Sequence, residues 1–356
     1  MKDKLKVGIA GFGIVGKKRF HFIEQNPSFK TIAISDLRFS QNNFEKLAHQ
    51  LIKNKKISVY DDYRKLFNNK LDVLFVCLPN YLAPDATIKA LNNNCHVFCE
   101  KPPGKNLKDI TDVIKVEKNH KNLKLKYGFN HRYHGSIKES KNIIDSKTFG
   151  EVTGFRGLYG KSRIVPFSGG WRCERKYAGG GILLDQGIHM LDLLRYFCGD
   201  FEDVNSFVSN DFWGHDVEDN VVAILRNKNG VIANIHSSAT QWSHSFSLEI
   251  TLEKGLLALS GILSGSKSYG EEKLKIIKRK NDSMSGSQSA EEITYLDDYS
   301  WKNEVDEFAD IIINGKKVTN GSSADALGVM KMVYRIYYSD KKWRKRFNIL
   351  DPTNYN

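Results

Sequence analysis

Six short apolar runs in the first third of the chain alternate with segments of helical spacing, and this alternation limits the fold more than any other feature. The runs are Leu5–Ala10, Thr31–Ile34, Ile57–Tyr60, Val73–Leu78, His96–Cys99 and Leu123–Phe129. Helical spacing falls at Val15–Gln25, Phe44–Ile52, Ala86–Leu91 and Ile110–Glu117. Near-continuous apolar strands separated by helices require a parallel sheet covered on both faces. Residues 1–128 therefore read as one doubly wound α/β domain of Rossmann type.

The first strand-to-helix turn of that domain is Gly11-Phe12-Gly13-Ile14-Val15-Gly16. A strand before and a helix after give this glycine spacing its meaning. The first glycine allows the tight turn, the second lets backbone approach a pyrophosphate, and the third lets helix pack closely on strand. Amides at the helix start then face the phosphates of a dinucleotide. Asp36 follows the second strand, twenty residues beyond Gly16, where a carboxylate accepts hydrogen bonds from the adenosine ribose and repels a 2′-phosphate. That favours NAD. Beyond Leu37, the guanidinium of Arg38 could stack on adenine or hold a 2′-phosphate, so NADP stays open.

Glu100-Lys101-Pro102 ends the fifth apolar run. A lysine at the end of a later parallel strand can reach the reacting end of a dinucleotide, so the two features together suggest redox chemistry.

After Asn130 the pattern changes. A helix near Ser136–Asp145 is followed by strand-like runs at Val152–Tyr159, Val204–Ser209, Val221–Leu225, Val231–Ser237, Phe246–Leu252 and Leu256–Leu259. Strand after strand with turn signals such as Asn229-Gly230 implies a mostly antiparallel sheet, so 129–356 reads as a second domain of α+β type. The small, polar stretch Asn281–Ala290 reads as a mobile hairpin loop, and helices at Asn303–Ile313 and Ala324–Tyr338 close the chain.

The net charge of +13 invites a nucleic-acid partner, but the lysines are scattered and form no basic recognition helix. No nucleic acid is expected; an anionic small substrate is compatible. No run is long enough to span a bilayer, and the start leads into a strand, so the expected location is cytoplasmic. Five cysteines form no pair of Cys-x-x-Cys motifs, which suits reduced thiols better than a metal site or disulfide framework.

Gly179-Gly-Gly-Ile-Leu-Leu-Asp185-Gln-Gly-Ile-His189-Met-Leu-Asp192 is the second dense motif. Its glycines permit close backbone approach and open a helix, on which Asp185 and His189 share a face. A carboxylate and an imidazole converging on a cleft suit proton transfer near neutral pH; a helix cap and a satisfied histidine would look the same.

The chain resembles the Gfo/Idh/MocA family, named for glucose-fructose oxidoreductase and inositol dehydrogenase. The resemblance rests on Gly11-x-Gly-x-x-Gly16, Pro79-Asn80, Glu100-Lys101-Pro102, Gly128-Phe-Asn130-His-Arg132, Gly150-Glu-Val152, Trp171-Arg172, the block from Gly179 to Asp192, and Glu218-Asp219. It implies that Lys101, Asp185 and His189 carry the chemistry, with hydride passing between nicotinamide carbon 4 and a sugar or cyclitol carbon. His189 would be the general acid/base, Lys101 the cation on the developing alkoxide, and Asp185 the group that fixes a neighbouring hydroxyl. Leu78, Pro79, Asn80 and Glu100 would position the nicotinamide end, and Asn130, Arg132, Trp171 and Arg172 would line the substrate side. Ala83 departs from the family, whose members often carry histidine there. A homodimer or homotetramer through the second domain's sheet is also implied. An NAD-dependent glycosidase, an inositol or free-sugar dehydrogenase and a catalytically silent sugar sensor are the alternatives on the same scaffold.

Lys161, Arg163, Arg172, Arg175 and Lys176 lie against a single acid, Glu174, between Lys161 and Ala178. Arginine forks hold a diphosphate at two points, so the expected substrate is a nucleotide-linked sugar, with Arg172 on phosphate and Trp171 against a ring. A solvated loop or a subunit contact would carry the same charges.

Overall fold

The computed structural model describes residues 3–40, 42–163, 170–264, 268–279 and 289–355. Residues 281–288 of the expected hairpin loop, and 164–169 of the basic segment, lie outside the described residues. The chain packs as two units, Met1–Phe129 with Trp301–Leu327, and Asn130–Ser300 with Gly328–Asn356.

The first unit is built on β1 (Leu5–Ala10), α1 (Ile14–Gln25), β2 (Phe29–Ser35), α2 (Asn42–Lys55), β3 (Ser58–Tyr60), β4 (Val73–Val76), α3 (Ala83–Asn92), β5 (His96–Glu100), α4 (Leu107–Glu117) and β6 (Leu125–Gly128). All six strands are parallel, in the order β3-β2-β1-β4-β5-β6. The order reverses between β1 and β4, and in such sheets the crevice beyond the strand ends at the reversal is where ligands bind. Every residue of β4 is buried, as a strand covered on both faces must be.

The continuous second domain expected over 129–356 is interrupted. Phe308 packs edge-on against Phe75 and Phe98, with ring centroids 6.0 and 5.5 Å away, and Glu304 reaches Arg19, so Trp301–Leu327 completes the first core. The periodicity of a helix records its own buried face and not which core receives it.

The second unit holds α5 (Gly135–Asp145), β7 (Val152–Gly160), α6 (Arg175–Ala178), α7 (Ile188–Cys198), β8 (Asp203–Ser209), β9 (Asn220–Arg226), β10 (Ile232–Ser238), β11 (Ser245–Leu252), β12 (Gly255–Ser260), β13 (Glu272–Lys278) and β14 (Ser289–Tyr295). The chain ends through α8 (Ser300–Ile313), α9 (Ser323–Ser339) and α10 (Lys341–Phe347). The sheet runs β14-β13-β12-β11-β7-β10-β9-β8, with β7 and β10 parallel and all other pairs antiparallel. No clean apolar run marks β13 and β14 in the sequence because lysine and glutamate crowd them, as suits a sheet that ends in β14 as its edge strand. α10 went unread because it is almost wholly basic; Asp340 caps it by accepting from the Trp343 amide at 2.9 Å.

Among the described residues no helix is long and apolar enough to cross a membrane. The five cysteines are free thiols. Burial pushes Cys95 and Cys99 up to about 11 and 12, which leaves them unreactive packing groups.

Candidate active site

The glycine-rich turn is set at the reversal of strand order. The Cys77 amide donates to the Ala10 carbonyl at 2.7 Å, bringing the ends of β1 and β4 together. Gly11 has φ +90°, and a Cβ on it would lie 2.4 Å from the Cys77 carbonyl oxygen; one on Gly16 would lie 2.0 Å from the Gly11 oxygen. Both positions therefore need glycine. Phe12 turns its ring into the core, edge-on to Phe20, so only its backbone is left to meet a ligand.

Asp36 stands at the end of β2 and accepts from the Phe12 amide at 2.8 Å, the Arg38 amide at 3.0 Å, and Arg38 Nε and Nη2 at 2.7 and 2.9 Å. Burial alone would raise its pKa, but the bonds from Arg38 and from Phe12 outweigh it and hold the carboxylate below its usual range. The Arg38 guanidinium lies 4.2 Å over the Phe44 ring. A dinucleotide fits this turn. A Cβ on Gly13 would meet only Arg38 Nη2, at 3.8 Å, and the apolar side chains of Ile14 and Leu37 stand 91% and 71% exposed. Val15 and, beyond β4, Leu78, Pro79 and Asn80 are half-buried.

Glu100 has a partner within the protein. Arg19, wholly buried on α1, donates from Nε to Glu100 at 2.6 Å and from Nη2 to Glu304 at 2.6 Å. Its guanidinium lies 4.3 Å from the rings of both Phe98 and Trp301. A buried arginine needs carboxylate partners, and Glu100 is one of them. Its neighbour Lys101 is half-buried.

In the second unit the glycine block serves packing. A Cβ on Gly180 would meet the Tyr337 hydroxyl, at 2.2 Å, and one on Gly181 the Glu218 carbonyl oxygen, at 2.0 Å. Glu218 satisfies the helix start: its carbonyl accepts from the Ile182 amide at 3.0 Å and its Oε1 from the Leu183 amide at 3.1 Å. Burial raises the Glu218 carboxyl, against the hydrogen bond that Tyr337 donates.

Leu183–Gly187 forms a π turn that runs into α7. The single α-helical face expected for Asp185 and His189 is thereby replaced by a wider turn at Asp185 and a regular one at His189. Such turns recur at functional sites. The Lys161 ammonium, at the end of β7, lies 3.6 Å from Asp185 Oδ2. His189 is 3% exposed, and its ring is stacked on that of His131, with centroids 3.7 Å apart and planes at 14°. His131 also meets the Tyr159 hydroxyl at 3.1 Å. Burial first, then the nearby charges of Tyr269 and Asp185, push the Tyr159 phenol up, so it keeps its proton.

Other expected substrate residues are occupied by the protein itself. Arg132 donates to Asp192 from Nε and Nη2 at 2.8 and 2.6 Å, both residues being buried, so its fork holds an internal pair. Asn130 donates to Ser300 Oγ at 3.3 Å and faces His131 Nδ1 with its oxygen at 3.3 Å. The basic segment is dispersed: Lys161 sits by Asp185, Lys176 pairs with Glu174 at 3.0 Å, and Arg175 lies over Phe347, Tyr337 and Trp343 at 4.5, 5.3 and 5.6 Å. Arg172 lies 4.4 Å over its own neighbour, Trp171. His131, Tyr159 and Tyr269 were not singled out in the sequence; alternation along β7 could have put Tyr159 on the inner face, whereas nothing local marks Tyr269.

Residues 5–129 match the model of an oxidoreductase family with an NAD-binding Rossmann fold, and residues 137–258 match the GFO/IDH/MocA C-terminal domain. Levoglucosan dehydrogenase of Pseudarthrobacter phenanthrenivorans is 26% identical over 292 residues, 70% of this chain and 71% of that protein. Inositol 2-dehydrogenase of Salmonella typhimurium is 25% identical over 276 residues, 74% of this chain and 76% of that one. A solved levoglucosan dehydrogenase, in complex with NADH and levoglucosan, superposes with a TM-score of 0.81 at 21% identity, covering 96% of this chain and 98% of that one. With a glycine turn shaped for a dinucleotide in one unit, Asp185 and His189 on a π turn and the helix that continues it in the other, and both halves matched, the chain belongs to the Gfo/Idh/MocA family of NAD-binding oxidoreductases.

Proposed function

We propose that this oxidoreductase oxidises a secondary hydroxyl of an unactivated sugar or cyclitol, or reduces the matching ketone. The observation that carries the reading is the pair Asp185 and His189 on the π turn and the helix that continues it, the family's acid/base positions, in a chain that also keeps Lys101. NAD, when bound, takes up hydride at carbon 4 of its nicotinamide. His189 accepts the hydroxyl proton as the carbonyl forms. Lys101 holds positive charge against the alkoxide oxygen, and Asp185, anchored by Lys161, accepts from an adjacent hydroxyl and fixes the ring. The relatives named for levoglucosan and inositol support a small polyhydroxylated substrate.

A nucleotide-linked sugar, the finer expectation, loses support because the described residues of the basic segment do not form one cradle; Arg172 stays the candidate phosphate contact. We also propose that the chain self-associates through the sheet of its second unit, where Phe207, Val222, Ile224 and Ile232 are exposed on one face of β8 to β10.

Reduction of NAD is measured against levoglucosan, myo-inositol, glucose and a UDP-linked sugar. The reading expects turnover with a free sugar or cyclitol, and Lys101→Ala and His189→Ala each lowering it by about 100- to 10,000-fold. NAD affinity should stay within a few fold. Exclusive use of the UDP-linked sugar would reinstate the finer expectation, and near-normal rates in both variants would remove the assigned roles.

A further inference from the structure

His131 precedes Arg132 in the turn after β6, and the reaction as proposed gives it no part. Its ring lies 3.7 Å from that of His189 with the planes 14° apart, and the two residues are 7% and 3% exposed. Two buried imidazoles in face-to-face contact cannot both be charged without strong repulsion. One of them must stay neutral whenever the other carries a proton.

The surroundings select which. Asn130 donates its Nδ2 to Ser300 Oγ, so its Oδ1 is the atom turned to His131 Nδ1, and an oxygen there calls for an N–H on that nitrogen. Ser300 is itself fixed by donating to Asp298 Oδ1 at 2.5 Å. On the other side the Tyr159 phenol, kept protonated by burial, lies 3.1 Å from His131 Nε2 and can donate to it. An N–H at Nδ1 and a lone pair at Nε2 describe the neutral ring, with both nitrogens engaged. The face of a neutral aromatic ring is also a favourable neighbour for a cation.

We propose that His131 is a positioning residue for His189: a neutral imidazole, held by Asn130 and Tyr159, whose face fixes the acid/base ring and supports its charged form. The inference rests on the reading of His189 as the acid/base. The proton that His189 takes from the substrate hydroxyl stays on His189 and is returned to solvent; His131 neither gains nor loses one.

Turnover of the fastest sugar in the panel above separates this role from packing. His131→Leu fills the space without a π face and is expected to lower kcat by about 10- to 100-fold with KM for NAD unchanged. His131→Phe restores the face and is expected to stay within a few fold of the native kcat. Native kcat in His131→Leu, or equal losses in the two variants, overturns the proposal. If neither variant accumulates as folded protein, Tyr159→Phe decides: a several-fold loss of kcat at constant KM for NAD supports it, and an unchanged kcat overturns it. His189→Ala runs alongside. Native turnover in that variant would sink the acid/base reading itself, whereas an inactive His189→Ala beside a fully active His131→Leu would sink only the stack.

Discussion

Arg38 grips Asp36 at two points, Nε to Oδ1 at 2.7 Å and Nη2 to Oδ2 at 2.9 Å, so the residue that repels a 2′-phosphate also withholds the arginine that would bind one. NAD should therefore bind more tightly than NADP. In Asp36→Ser the repulsion is gone and the guanidinium fork is released, and charge-assisted hydrogen bonds to a phosphate should swing the NAD-to-NADP ratio by about 10- to 100-fold toward NADP. Titrating both cofactors by intrinsic fluorescence gives the ratio. An unchanged ratio in the variant would mean that Arg38 has no hold on the ribose end.

The parts of this protein that were legible in its sequence are those whose cause is local. Glycine at Gly11 and Gly16 is required by contacts within one turn and the adjacent strand end, and the apolar runs of β4, β5 and β6 record burial on both faces. Pairings across the chain left no such trace. Arg132 and Asp192 are 60 residues apart, so the Arg132 guanidinium reads as ligand-facing until its partner is seen, and Arg19 and Glu304, 285 apart, carry no local sign of their pairing. The stack of His131 on His189 joins two motifs that were both visible, yet ring contact between them is a property of the fold alone. Even the Asp185–His189 spacing misled in part, because an α-helical repeat was assumed where the backbone makes a π turn.

Arg19 serves two carboxylates at once, and burial makes one of them, Glu304, sensitive to pH. Burial, opposed by Arg19 and Lys126 and reinforced by the charge of Glu100, raises Glu304 from the ordinary 4.5 to about 7. An acid whose folded pKa lies above its unfolded value binds its proton more tightly in the folded protein. Its contribution to stability is thus full below pH 4.5 and is lost as pH rises through about 7. Glu304→Gln keeps an acceptor for Arg19 without a charge to titrate. Across that window the native chain should lose stability relative to Glu304→Gln by on the order of 1–3 kcal/mol. Denaturant unfolding at a series of pH values checks it, and parallel curves for the two chains would refute the assignment.

Phe207 lies directly across from Val222, Ile224 follows on the same face of β9, and Ile232 of β10 stands across from Arg226 on that face, so exposed apolar side chains run over three neighbouring strands of the second unit. Phe207 is 82% exposed and Ile224 52%. A strip of this kind on a sheet is costly to leave in water and is suited to a second copy of itself about a two-fold axis. Ile224→Glu, paired with Phe207→Ser, should shift the chain from an oligomer to a monomer in sedimentation velocity. Because none of these side chains belongs to the proposed machinery, a variant that stays folded should keep its NAD affinity. A native chain that sediments as a monomer at micromolar concentration, or a double variant whose oligomer is undisturbed, would move the contact elsewhere or abolish it.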